Sequence, residues 1–325
     1  MEKIKWGVLG TAGIADGCTI PGMLQAENCE LYGIAGRKEE KVKQFREKFN
    51  FQKTYYDYDL LLKDDEIQAV YIPLPNHLHY EWVMKAIDAG KHVLCEKPLA
   101  PTEEQAKELF EAAEKGGVLL VEAFAYLNSP YISALKQEAE NKTIGDICYV
   151  ETAFLTSGYN DTNIRMNKDY YGGATYDLGC YCTSMILSIL GKKPEKVSAV
   201  AEFSENGIDV MTSCIMQFGN GIRASFNCGM NLEKEMSRRF DRLYIHGSRG
   251  YIKSSVEYNQ EGSLEYIVCV DGKEEIKTVN ALHNYRLEIE KFGRCILDNE
   301  KPFVQKEFSI ANAYVIDRVL EAIGY

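Results

Sequence analysis

Through the first 123 residues, short apolar runs alternate with helical stretches, and this alternation restricts the fold more than any other feature of the chain. Residues 4–9, 31–35, 69–72, 93–95 and 118–122 read as buried strands, with helical stretches at 39–49, from 57, at 78–89 and at 102–115. Thr102 with Gln105 forms a capping box before the last helix, and Gly116-Gly117 stops it. Strand and helix in strict turn predict right-handed crossovers and a parallel, doubly wound sheet. Such sheets bind ligands beyond the carboxyl ends of their strands.

Four of those carboxyl ends carry informative residues. Gly10-Thr11-Ala12-Gly13-Ile14-Ala15 follows the first strand, where backbone N–H groups at a helix start can cradle a pyrophosphate. The glycine pattern is only partly met, since Ala12 and Ala15 stand at its second and third positions, and a purely structural turn would also use glycines. The second strand ends in Gly36-Arg37-Lys38, with no carboxylate for a ribose 2′-hydroxyl. Arg37 can fork onto a 2′-phosphate instead, with Lys38 beside it and Lys41 one turn on, so NADP(H) is expected ahead of NAD(H). Solvated cations at a helix start are the alternative, but they oppose the helix dipole unless an anion binds. The third exit loop, Pro73-Leu74-Pro75-Asn76-His77-Leu78-His79, is expected beside a nicotinamide, with Asn76 also a helix cap and His79 structural. Finally, residues 93–95 run into Glu96-Lys97-Pro98, and the proline keeps Lys97 extended at the strand's carboxyl end. An ordinary surface lysine is the competing reading.

Beyond Phe124 the rhythm changes. After a helix near 129–141 come strands near 146–154, 197–203, 209–218, 222–228, 242–246, 250–254, 264–270 and 274–279, joined by short turns such as Gly219-Asn220-Gly221. They predict a large, mainly antiparallel sheet in a second domain, 124–325, after a first domain of 1–123. With helices on one face, the other would be free to pair with a second copy, so a homodimer or dimer of dimers is expected through this sheet. Gly172-Gly173-Ala174-Thr175-Tyr176-Asp177-Leu178-Gly179-Cys180-Tyr181 opens a helix whose Leu178, Cys182, Met185 and Ile189 form a core stripe. Asp177 and Tyr181, one turn apart, can face one cavity, although a packed, hydrogen-bonded tyrosine would satisfy the same pattern. Arg165 and Lys168 either contact substrate there or flank a loop. Helices capped by Asn284 and Ser309 are expected to close the chain.

The whole chain sets bounds. Its 325 residues suggest two domains, and a net charge of -11 without a basic stripe argues against nucleic acid. No apolar run approaches a membrane span, and the amino terminus enters a strand with no room for a secretory signal. Ten scattered cysteines without a C-x-x-C pair read as reduced, cytoplasmic thiols, and neither Cys180-Tyr181-Cys182 nor His77 with His79 completes a metal site.

In order, the Gly10–Ala15 turn, Pro73-Leu74-Pro75-Asn76-His77, Glu96-Lys97-Pro98 and the Gly172–Tyr181 helix start resemble the Gfo/Idh/MocA family of nicotinamide-dependent oxidoreductases over nearly the entire chain. The resemblance implies an α/β chain with a Rossmann domain and a second domain bearing a large open sheet. It further implies a catalytic Lys97, a substrate-side Asp177, and Glu96 at the cofactor. Tyr181 stands where many members have histidine, which resembles the branch of dihydrodiol, D-xylose and glucose-fructose enzymes. Hydride transfer at a sugar-like carbinol is then expected, with Tyr181 exchanging the hydroxyl proton beside the Lys97 ammonium. Tyr126 is expected at the substrate, although Leu127-Asn128-Ser129 replaces the family's usual Arg/His run. An NADPH-binding regulator and an NAD-assisted hydrolase are the alternatives.

Overall fold

The computed structural model describes residues 2–232, 239–255 and 257–325. Two compact units emerge, one from residues up to Ala100 with Glu104–Ser129 and Leu282–Ser309, the other from Pro101–Glu103, Pro130–Ala281 and Ile310–Tyr325.

The first unit is built on six parallel strands, β1 (Ile4–Leu9), β2 (Cys29–Ala35), β3 (Lys53–Tyr55), β4 (Ala69–Ile72), β5 (His92–Glu96) and β6 (Leu120–Ala123), in spatial order β3-β2-β1-β4-β5-β6. Ile4, Val8, Ile34, Val70, Ile72, Val93 and Leu94 are wholly buried. Near-continuous apolar runs are what a sheet covered on both faces requires. The winding reverses between β1 and β4, which places a ligand crevice at their carboxyl ends. Its helices include α1 (Ile20–Gln25), α2 (Glu39–Phe49), α3 (Tyr58–Leu62), α4 (His79–Asp88) and α5 (Glu103–Gly116), the last beginning in the segment assigned to the second unit.

A division at residue 123 therefore needs correction, because the packing returns Leu282–Ser309 to the first unit. The cause is the apolar face of one helix, Asn284–Leu297. Its Phe292 ring lies 4.9 Å from that of Trp6, Asn28 Nδ2 donates to Glu290 O at 2.9 Å, and a Cβ on Gly22 would come within 2.8 Å of Arg286 N. His283, rather than Asn284, caps this helix, accepting from Arg286 N at 3.2 Å. The last helix spans Lys306–Ile323, so Ser309 lies inside it rather than at its cap.

The second unit carries α6 (Pro130–Glu140), then an eight-stranded sheet made of β7 (Ile147–Ser157), β8 (Lys196–Phe203), β9 (Asp209–Gln217), β10 (Arg223–Leu232), β11 (Arg239–Gly247), β12 (Gly250–Ser254), β13 (Gly262–Val270) and β14 (Lys273–Ala281). Neighbours are antiparallel except the interior pair β7 and β10. Alternation divides the faces. Thr212, Cys214 and Met216 of β9 point inward with Ala224, Phe226 and Cys228 of β10, while Ile215 points out. The inner face meets α7 (Cys180–Leu190), whose Cys182 and Met185 are buried, as is Leu178 just before it, whereas Ile189 is half-buried. With α7 named, the two closing helices are α8 (Asn284–Leu297) and α9 (Lys306–Ile323).

Candidate active site

The turn after β1 uses its two glycines differently. Gly10 has φ +122°, which favours glycine, and a Cβ there would lie 3.1 Å from Leu74 Cδ2, so the turn sits tight against the loop after β4. A Cβ on Gly13 would meet nothing within 4 Å. No described residue demands a glycine at Gly13, and the space it leaves clear suits close approach by an external pyrophosphate. Thr11, Ala12 and Ile14 are half-exposed around it, and a π-helical turn, Ala15–Thr19, leads into α1. Arg37, Lys38 and Lys41 are all exposed where β2 meets α2. The first turn of α2 holds Glu39 and Glu40, which complement the helix dipole. Arg37 opposes the burial that raises the Tyr58 pKa, and its charge joins burial in lowering that of His77.

Pro73 and Leu74 are buried, while Asn76 and His77 are half-buried in a 3₁₀ turn, Asn76–Leu78. Helix α4 begins only at His79, with Leu78 at its N-cap, so Asn76 opens the 3₁₀ turn rather than capping the helix. His79 is structural, as expected. Wholly buried, it places Nδ1 2.8 Å from Pro98 O and Nε2 2.7 Å from Leu74 O, tying the loop after β4 to the one after β5. Burial lowers its pKa, and the two carbonyl partners oppose that.

Lys97 is half-buried just past β5, and the Lys97–Pro98 peptide is cis. Glu96 Oε1 accepts from Tyr71 Oη at 2.6 Å, and Tyr71 Oη lies 2.8 Å from Thr19 Oγ1. Glu122, accepting from Leu99 N at 2.9 Å, is pushed up to about 7 by burial, against the opposing pull of that bond and of Lys97. Tyr126 differs from the sequence reading. Its ring is fully buried, edge-on to Phe124 at 6.0 Å, because the 3₁₀ turn Ala125–Asn128 packs inward.

In the second unit, two glycines dock a turn onto the start of α7. A Cβ on Gly172 would fall 2.3 Å from Arg165 O, and Gly173, at φ +112°, donates its N–H to that oxygen at 2.8 Å. The Arg165 turn is thereby held where Nε donates to Asp177 Oδ2 at 2.6 Å, so these two candidates form an ion pair. Asp177 is the first cause of the raised Arg165 pKa. Asp209, absent from the sequence reading, anchors the same helix start. Its Oδ2 accepts from Thr175 N at 2.8 Å, Thr175 Oγ1 at 2.7 Å and Thr212 Oγ1 at 2.9 Å, although burial raises its pKa. A π-helical turn, Thr175–Gly179, carries Asp177 and leads into α7, placing half-buried Tyr181 in the first turn of that helix. Lys168 lies over the Tyr325 ring at 4.6 Å and so flanks the loop. The Tyr181 ring sits 5.5 Å from Phe154 and 5.2 Å from Tyr258, neither of them foreseen from the sequence. Among the described residues, no group of three or more His, Cys, Asp or Glu is placed to hold a metal ion.

A parallel sheet with a glycine turn at its switch point, in one chain with a large open sheet, is the architecture of a dinucleotide-binding protein. Comparison with known proteins agrees. Residues 4–124 match the GFO/IDH/MocA oxidoreductase family, NAD-binding Rossmann fold, and residues 132–253 match that family's C-terminal domain. D-xylose 1-dehydrogenase (NADP(+)) 2 of Haloferax volcanii is 31% identical over 324 residues, 98% of this chain and 97% of that protein. Mouse (Mus musculus) trans-1,2-dihydrobenzene-1,2-diol dehydrogenase is 32% identical over 76% of this chain and 73% of its own. The crystal structure of KijD10, a 3-ketoreductase from Actinomadura kijaniata in complex with NADP and TDP-benzene, superposes with a TM-score of 0.92 at 28% identity, covering 99% of this chain and 98% of that one. The chain belongs to the Gfo/Idh/MocA family and is an oxidoreductase.

Proposed function

We propose that the protein is an NADP(H)-dependent dehydrogenase acting on a CH–OH carbon of a sugar or related polyhydroxy compound, working in the cytoplasm as a homodimer or dimer of dimers. The observation that carries this reading is the placement of Lys97 at the carboxyl end of β5, on the sheet edge where the glycine turn after β1 leaves room at Gly13. Gly10, Thr11, Ala12, Gly13 and Ile14 would hold the pyrophosphate. Arg37, Lys38 and Lys41, exposed together, would hold the 2′-phosphate. Pro73, Leu74, Asn76, His77 and Glu96 would border the nicotinamide, which when bound supplies or accepts a hydride.

This chain's own groups handle the substrate and its proton. The Lys97 ammonium binds and orients the substrate oxygen. Tyr181 Oη takes the hydroxyl proton in oxidation and returns it in reduction. A free phenol, with a pKa of about 10, is a weak base at neutral pH, and nearby positive charge favours its ionised form. Asp177 orients the substrate's hydroxyls, and Arg165 fixes that carboxylate through the 2.6 Å bond. Tyr126, wholly buried, supports the wall behind the site.

The open sheet supports the oligomer, since its outer face exposes Val200, Ile215 and Ile276. The function is tested by offering aldoses, polyols, inositols and trans-dihydrodiols with NADP⁺ and NAD⁺. Reduction of NADP⁺ ahead of NAD⁺ with at least one of these classes is expected, and no nicotinamide reduction with any of them would contradict the proposal.

A further inference from the structure

The strands around Tyr181 bring a second guanidinium to the aromatic cluster that holds the phenol. Arg239 opens β11, two residues before Asp241, so both point to the inner face with buried Leu243 and Ile245 while Phe240 points out. Asp241 stands opposite Phe154 in the β7–β11 register. Arg239 is held by two bonds, Nε to Asp241 Oδ1 at 2.9 Å and Nη2 to Oδ2 at 2.6 Å, and Asp241 Oδ2 also accepts from Tyr258 N at 3.0 Å. A bidentate pair of this kind fixes the plane and position of the guanidinium. The cation then lies 4.4 Å from the centre of the Phe154 ring, which meets Tyr181 edge-on and stacks with Tyr258 at 5.2 Å.

We propose that Arg239 is a positioning residue for the reaction, a fixed guanidinium that, together with Arg165, stabilises the ionised form of the Tyr181 phenol from within its own unit. The inference rests on the reading that Tyr181 exchanges the substrate proton. The groups around the phenol come from three directions, two of them charged. Arg165, paired with Asp177, approaches from the docked turn. Arg239 comes from β11, with Asp241 and Glu257 behind it, the latter 3.6 Å from Nη1. Tyr258 closes the third side, its hydroxyl 2.9 Å from Thr152 Oγ1. Electrostatic interaction runs both ways, and ionised Tyr181 is among the groups that favour the charged form of both Arg165 and Arg239. Asp241 and Glu257 offset part of the Arg239 charge, so a moderate effect is expected. A purely structural Arg239 would support the aromatic cluster without tuning the phenol.

The test is an NMR titration of the protein carrying Cζ-labelled tyrosine, with Tyr181→Phe assigning the resonance. Arg239→Gln should move the Tyr181 midpoint up by about one pH unit, and Arg239→Lys should restore part of that shift. Asp241→Asn keeps an acceptor for Arg239 and Tyr258 N but removes the opposing charge, so it should move the midpoint down. If Arg239→Gln does not fold, Arg239→Lys and Asp241→Asn decide by the same midpoint. An unchanged midpoint in the folded variants would overturn the inference. The functional reading fails separately, and takes this inference with it, if Tyr181→Phe turns over substrate as fast as the parent protein.

Discussion

At the scale of single residues, the first unit stores a carboxyl out of its usual range. Glu122 is 2% exposed and is raised from 4.5 to about 7, chiefly by burial. A carboxyl raised in this way holds its proton more tightly when the chain is folded. Its contribution to stability is fully present below pH 4.5 and drains away as pH climbs through 7, a loss of about 3 kcal/mol. Glu122→Gln keeps an acceptor for Leu99 N and removes the titration. Its melting temperature should change less than the parent's between pH 5 and pH 8, and should exceed the parent's at pH 8. Scanning calorimetry across that range checks this, and parallel curves would refute it. Residues of this kind were the least legible in the sequence. Lys97, Asp177 and Tyr181 announce themselves through neighbours along the chain. Glu122, Asp209 and Arg239 owe much of their character to groups distant along the chain, Leu99, Thr175 and Phe154 respectively, which no local pattern displays.

At the scale of elements, two glycines separate stability from binding. Gly173 combines φ +112° with a Cβ position 2.0 Å from Asp209 Oδ1. Gly173→Ala should cost at least about 1–3 kcal/mol from the backbone alone and should displace the carboxylate that anchors Thr175. Gly13→Ala meets open space, so it should melt like the parent while binding NADPH more weakly. Thermal melts and fluorescence titrations of the two variants check the contrast, and a Gly173→Ala protein as stable as the parent would refute it. The elements themselves were largely readable, because the strands announce themselves by apolar runs or period-two alternation. What alternation does not encode is hydrogen-bond register. The π-helical turns at Ala15–Thr19 and Thr175–Gly179 look like ordinary helix starts in the sequence, yet one follows the glycine turn after β1 and the other carries Asp177. The cap at His283 was missed for a related reason, since Asn284 has the more usual capping side chain but sits one residue inside the helix.

At the scale of the whole molecule, the boundary at residue 123 was incomplete because helix α8 returns to the first unit through contacts more than 250 residues apart, such as Asn28 with Glu290. Sequence order hides a closure of that length. The outer face of the open sheet was foreseen, and it leaves Ile215 63% and Val200 72% exposed in the single chain. An apolar face of this kind should be covered by a second copy. Light scattering should find the parent protein dimeric or tetrameric and Ile215→Glu shifted toward monomer, and a monomeric parent would rule the interface out. In the proposed mechanism, Lys97 and Tyr181 handle the substrate oxygen and its proton. The most direct measurement is turnover, alongside NADPH binding, in Lys97→Met and Tyr181→Phe. Each should lose activity by about 100-fold or more while binding NADPH as the parent does; full turnover in either variant would contradict the mechanism.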